Sequence, residues 1–245
     1  GRGDILLTNN IEKISYNVIK NSDQFLFDTK LNIKNNPLII KFLDYEKKKG
    51  VNSIISINGD LKKNGSIKFK SISLEEKKNK ILINNLELSP TLKIKNLVFA
   101  SVDYKNNKDI VNKLNIKKNG SNFILEGDSF NALRIIDSIM NNDAEDSSIF
   151  QNLNTKIDIK IKKTYIDEIN YLDNLSGYIN FKDNKINELK LDSFFPNKKK
   201  INLRINTNDT LEKTTYLFTA HPKPLIKRYN FIKGFEEGYL EFNSI

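Results

Sequence analysis

The 245-residue sequence has no cysteine and no tryptophan, one histidine, one methionine and 5 prolines. Without cysteine there is no disulfide and no thiolate metal site, although the compartment stays open. No apolar run approaches the ~18 residues that a membrane-spanning helix needs. A signal peptide, with its basic start, apolar stretch and small-residue cleavage site, is also missing. So are a glycine-rich phosphate loop, zinc-ligand spacing and a nucleophile elbow. The chain opens at Gly1 and stops at Ile245 just as a strand pattern is established. It therefore reads as an excerpt of a longer protein, in which missing targeting signals say little about location.

Lysine and arginine number 40 against 30 aspartates and glutamates, a net charge of +10. Such a balance suits nucleic acid or anionic lipid. The lysines, however, are dispersed along strands, in a chain dominated by Asn, Lys and Ile. No nucleic-acid partner is expected on that dispersion.

What is present is period-2 alternation. In Thr155–Lys162, Ile157, Ile159 and Ile161 point one way and Asp158, Lys160 and Lys162 the other. The same alternation joins Ile67 with Phe69, Ile81 with Ile83, Leu92 with Ile94, and Ile201 with Leu203 and Ile205. Turn chemistry is read at Asn58-Gly59-Asp60, Lys63-Asn64-Gly65, Lys118-Asn119-Gly120 and Lys182-Asp183-Asn184. Close turns between one-sided strands predict an antiparallel meander rather than βαβ units. Lys68, Lys70, Lys93, Lys95, Lys160 and Lys162 fall on the polar side. They read as a solvated face that discourages edge pairing, with weak attraction to anionic head groups as the functional alternative.

Two islands break the strand pattern. From about 131 to 141, Ala132, Ile135, Ile136, Ile139 and Met140 follow helical spacing, with Asp128 or Ser129 as N-cap. A polar, acidic loop is expected from Asn141 to Ser148. A second short helix is predicted at about 222–230, with Pro in its first turn, and Gly234 ends the turn after it. The expected organisation is residues 1–150, a β-meander ending in the first helix and its loop, and 151–245, a second β-segment whose sheet continues the first. The similar order of the halves hints at an internal repeat. The fold class is mainly β: a long, twisted antiparallel sheet curled into a groove or trough, with two short helices.

At these islands the sequence resembles the AsmA-like family of bacterial envelope proteins, in its branch of large bridge-like lipid-transport proteins (YhdP/TamB type). The first family pattern stands here as Gly127-Asp128-Ser129-Phe130-Asn131-Ala132-Leu133, with Asn131 where Asp is usual. The second reads Pro224-Leu225-Ile226-Lys227-Arg228-Tyr229-Asn230-Phe231, followed by Glu237-Gly238-Tyr239-Leu240. Glu237 replaces the first Gly of the family pattern, and His221-Pro222 an acidic pair. Gly127, Phe130, Ala132, Leu225, Ile226, Gly238 and Leu240 are the structural motif positions. The resemblance implies a periplasmic β-trough, anchored in the inner membrane by a segment outside this chain. It implies phospholipid movement toward the outer membrane and envelope maintenance, with membrane proteins at the ends of the full-length chain as partners. It brings no catalytic residue and no cofactor.

Residue chemistry permits that implication. A sheet with one continuous apolar face must cover it, because each exposed Å² costs roughly 25 cal/mol. Acyl chains could do so, along Ile67, Phe69, Ile81, Ile83, Leu92, Ile94, Ile157, Ile159, Ile161, Ile201, Leu203 and Ile205. The same alternation also fits the dry core of a sandwich or barrel. The alternative reading is therefore a structural or adhesive β-repeat module with a protein partner. No enzyme activity is expected. Glu236 and Glu237 are adjacent and would point to opposite faces of a strand. Asp128 and Asp137 read as a cap and a surface charge. His221 reads as an exposed loop residue. Arg2-Gly3-Asp4 and the sequons at Asn64, Asn119 and Asn208 are matches that chance supplies in such a chain.

Overall fold

The computed structural model describes residues 1–8, 10–136, 154–183, 185–208, 212–229 and 236–244. The chain is mainly β, 68% strand, in mostly antiparallel sheet, with two short helices among the described residues. It divides into two compact units, Gly1–Lys118 and Asn119–Ile245. The boundary expected near 150 lies outside the described residues, as do the helix beyond Ile136, the loop 141–148 and Gly234.

The first unit contains β1 (Arg2–Leu7), β2 (Asn10–Lys20), β3 (Gln24–Ile33), β4 (Leu38–Ile40), β5 (Tyr45–Lys47), β6 (Ser53–Lys62), β7 (Ile67–Glu76), β8 (Asn79–Leu88), β9 (Ile94–Lys105) and β10 (Val111–Asn119). Its sheet runs β1-β2-β3-β6-β7-β8-β9-β10, and β4 and β5 form a separate two-stranded ribbon. All of these pairs are antiparallel. The hairpin turns are short, as the sequence requires. At Lys63–Gly65 the Gly65 N–H donates to the Lys62 carbonyl, with φ +81° at the glycine.

The expected turn at Asn58-Gly59-Asp60 is not a turn. These residues lie inside β6, at a bulge where Gly59 opposes Phe69. Asn-Gly reads as a hairpin, but here the glycine answers a different demand. A Cβ on Gly59 would stand 2.1 Å from the Lys68 carbonyl oxygen, so only glycine lets β7 come this close. The second unit repeats the device in β13, where a Cβ on Gly177 (φ +144°) would meet the Lys190 carbonyl oxygen.

The second unit contains β11 (Asn122–Asn131), β12 (Thr155–Tyr165), β13 (Tyr171–Lys182), β14 (Lys185–Phe194), β15 (Lys200–Thr207), β16 (Lys213–Thr219) and β17 (Leu240–Ser244), with a helix at Lys223–Tyr229. Five pairs are antiparallel. The exception is β11 with β12, which are parallel, within the mostly antiparallel sheet that the alternation predicts. Parallel neighbours need a long crossover, and residues 132–154 supply it. Its start is helical at 133–136. The cap is neither Asp128 nor Ser129, both of which lie in β11. Instead the Asn131 Oδ1 accepts the Leu133 N–H at 3.2 Å, and Asp128 pairs with Lys162 at 2.8 Å.

Each unit carries a plug on its apolar side. In the first, the β4–β5 ribbon drops Tyr45 against Tyr104 and Leu74, with Leu38, Ile40 and Leu43 around them. The two rings meet edge to face at 5.3 Å. In the second, Leu225 of the helix packs with Ile166, Leu172, Phe195 and Ile201. The ribbon of the first unit is tied by a buried polar cluster. The Glu12 carboxylate accepts the N–H groups of Lys34, Asn35 and Asn36 at 3.0, 2.6 and 2.7 Å, and the Asn36 amide at 2.8 Å. The fully buried Lys47 ammonium donates to the Asn36 carbonyl at 2.5 Å. Burial alone would push the Glu12 carboxyl up, but these donors hold it below its ordinary value.

Candidate apolar binding face

The register of the first unit stacks its apolar residues in rows. Leu31, Ile55, Leu74, Ile81, Val102 and Leu114 are successive partners across six strands. So are Thr29, Ile57, Ile72, Ile83, Ala100 and Ile116. Beyond the bulge come Phe27, Gly59, Phe69, Leu86 and Leu97, then Phe25, Leu61, Ile67, Leu88 and Ile94. Directly paired residues project from the same side of a sheet, so these rows make one apolar face. Bulges between Asn58 and Gly59 and between Glu87 and Leu88, with Asn85 at φ +52°, shift the alternation in β7–β9 without moving the apolar set to the other side. The reverse side is largely polar, as in the row Lys30, Ser56, Ser73, Leu82 and Ser101. Lys68 meets Glu87 there at 3.3 Å.

One end of this face lies under the Tyr45 ribbon. Burial, and then the Glu76 carboxylate that accepts the Tyr45 hydroxyl proton at 2.6 Å, push that phenol far above its ordinary value. Away from the ribbon the face opens into a hollow of about 410 Å³, lined by Val18, Phe25, Phe27, Leu61, Ile67 and Phe69. Phe27 and Phe69 meet edge to face across Gly59 with centroids 6.0 Å apart. Val18 is 54% exposed and Phe25 39%. All six of these described lining residues are apolar, and the Lys20 ammonium stands 5.9 Å from the Phe25 ring centre.

The second unit has a comparable face with less access. Ile157, Ile179, Leu189 and Ile205 form one row, and Ile159, Gly177, Leu191, Leu203, Leu217 and Phe242 the next. Ile161 pairs with Leu175, and Ile201 with Ser193. Ile159, Ile161, Ile201 and Ile205 are buried, Ile161 to 3% exposure. The reverse side is a charged ladder. The Lys156 ammonium sits 4.3 Å from the Tyr178 ring centre, the Tyr178 hydroxyl donates to Glu188, and Arg204 pairs with Asp192 at 2.6 Å.

Of the lining residues read from sequence, the register brings Ile67, Phe69, Ile81, Ile83 and Ile94 together in the first unit. It brings Ile157, Ile159, Ile161, Ile201, Leu203 and Ile205 together in the second. Leu92 is the correction. It precedes β9, in a turn with φ +59°, its N–H bound to the Ser89 carbonyl, and is 65% exposed. Pro90 and the following turn end the alternation before it reaches Ile94. Val18, Phe25, Phe27 and Leu61 were not singled out, although Phe25, Phe27, Thr29, Leu31 and Ile33 alternate without a break. Among the motif positions, Gly127 opposes Ile161, Phe130, Leu225 and Ile226 are buried, and the Ala132 N–H donates to the Tyr165 carbonyl. Gly238 takes φ +88°, and Leu240 opens β17. Glu236 and Glu237 are exposed and precede that strand rather than lying in it. His221 is not an exposed loop residue either. It is half-buried against Phe195, with ring centres 5.1 Å apart.

No helix among the described residues is long and apolar enough to cross a membrane, and none of their carboxylates and imidazoles group as metal ligands. Comparison with family models, with curated proteins and with solved structures found no match.

Proposed function

We propose that this chain is a section of an AsmA-like envelope protein whose apolar sheet face shields phospholipid acyl chains. The observation that carries the reading is the open, wholly apolar hollow in the first unit. Water gains nothing from such a surface, and Phe, Ile, Leu and Val offer no directional bond, so a chain of methylenes can slide across it. The location proposed with it is the periplasm, with an inner-membrane anchor elsewhere in a longer protein. The role is phospholipid movement toward the outer membrane, in contact with proteins of the two membranes. A second reading, a structural or adhesive module with a dry core, is favoured by the burial of Ile159, Ile161, Ile201 and Ile205. The two readings divide between the units: acyl contact in the first, self-packing in the second.

The chain has no tryptophan, so Phe69→Trp gives a single reporter in the hollow. Phosphatidylglycerol with brominated acyl chains should quench its fluorescence, and Ile161→Trp should stay unquenched. Ile67→Trp is the second reporter should the first variant fold poorly. Folded reporters in the hollow that brominated lipid leaves unquenched would remove the acyl-chain reading.

A further inference from the structure

A second pocket lies in the Asn119–Ile245 unit and takes no part in the apolar face. It occupies about 220 Å³ and is lined by Ile169, Asn170, Tyr171, Phe195, Asn197 and His221, with Pro196 beside them. Three separate stretches build it: the β12–β13 turn, the β14–β15 turn and the approach to the Lys223–Tyr229 helix. Each is held in place. The Asp167 carboxylate accepts the Asn170 N–H at 2.6 Å and its amide at 2.8 Å. The second turn is closed between Phe195 and Lys199, with Lys198 at φ +64°. The His221 N–H donates to the Thr219 hydroxyl at 3.0 Å, and Phe195 fixes the ring edge to face.

Its polar lining includes several donors. Among the described residues the His221 ring nitrogens make no hydrogen bond. The Asn197 carbonyl oxygen accepts the Lys199 N–H at 3.1 Å, which leaves its amide hydrogens to donate. Lys199 and Lys223 bear electrostatically on the imidazole, and among the described residues neither is held in an ion pair. Of the two carboxylates before Ile169, Glu168 is exposed and Asp167 is already committed to Ile169 and Asn170. A site with N–H donors, two flanking ammonium groups and an apolar wall from Phe195 and Tyr171 fits an anion with a small organic substituent.

We propose that this pocket binds a phosphate monoester or diester, held by His221, Asn197, Lys199 and Lys223. Free phosphate esters and the head group of an anionic phospholipid share that chemistry. Burial first, then the two lysines, hold the empty imidazole below its ordinary pKa, and a bound phosphate reverses the local charge.

His221 is the only histidine, so its ring proton gives one unambiguous NMR titration. The measurement compares chloride, glycerol 3-phosphate at matched ionic strength, and phosphatidylglycerol vesicles. Glycerol 3-phosphate is expected to raise the imidazole pKa by about one unit, and Lys199→Gln with Lys223→Gln to abolish the rise while circular dichroism stays native. Asn197→Asp, in an exposed turn, is the second variant should that pair unfold. A rise only with vesicles assigns the site to a lipid head group. No rise with either ligand, or a rise that survives the substitutions, overturns the proposal. Glycerol 3-phosphate has no acyl chain, so this result is independent of the hollow in the first unit.

Discussion

Gly59→Ala tests whether the bulge in β6 is obligatory. The added Cβ would lie 2.1 Å from the Lys68 carbonyl oxygen, with the Lys68 carbonyl carbon and the Phe69 Cα both at 3.0 Å. An ordinary carbon–oxygen approach is about 3.3 Å, so β6 and β7 must separate by roughly 1 Å at this point. The obstructing atoms are backbone and cannot swing away. Two flanking ladder bonds weaken, at about 1 kcal/mol each. The Phe27–Phe69 edge contact, centred across this glycine, loses about 0.5–1.5 kcal/mol. Stiffening the unfolded chain returns about 0.4–1 kcal/mol. The net loss is about 2 kcal/mol, read by urea unfolding as a lower midpoint with an unchanged slope. Gly3→Ala is the control, because a Cβ there has nothing within 4 Å, and it should stay within about 0.5 kcal/mol of the parent. A Gly59→Ala protein as stable as the parent would refute the close-approach account.

Other substitutions separate the two units and locate their titrating groups. Ile161→Ala should cost about 2–5 kcal/mol in denaturant unfolding, whereas Phe25→Ala, whose ring is 39% exposed, should cost about 1–2 kcal/mol, below the ~3–5 of a buried phenylalanine; equal losses would mean that the hollow is packed. The Glu12 carboxyl is held below 4.5 in the folded state, so its contribution is complete above that pH and is lost as pH falls through the folded value. Glu12→Gln should lower stability at neutral pH and flatten that part of the acid limb. His221 is held below 6.5, so the unfolded chain binds its proton first; stability should decline as pH drops below 6.5 and level off once the folded imidazole is also protonated. His221→Gln should remove that step from a melting-temperature profile.

The strands were legible because one-sided burial imposes period 2 on the sequence. Ile157, Ile159 and Ile161 share a face, and so do Ile201, Leu203 and Ile205, as alternation requires. Alternation says nothing about whether a face is covered. Ile161 is buried and Val18 exposed, although both are β-branched residues on strands. Turn chemistry failed at Asn58-Gly59-Asp60 because a glycine needed for backbone approach looks the same in sequence as one needed for a turn. The pairing of β11 with β12 was not legible as parallel, because direction is set by where the 132–154 crossover returns. Glu12 and Lys47 gave no signal of burial, since all their partners but the Asn36 amide are main-chain groups that every sequence has. His221 was misread for a related reason: its half-burial comes from Phe195, which is distant in sequence and near only in the fold.

The central claim is that the hollow between Phe25 and Phe69 holds acyl chains. Its most direct test is mass spectrometry of lipid extracted from the full chain purified from a bacterial host, beside a β protein of similar charge. The account predicts phospholipid near one mole per mole of protein, lost in a folded Phe69→Asp variant and kept in Lys199→Gln. A folded parent chain carrying no more lipid than the control protein would contradict it.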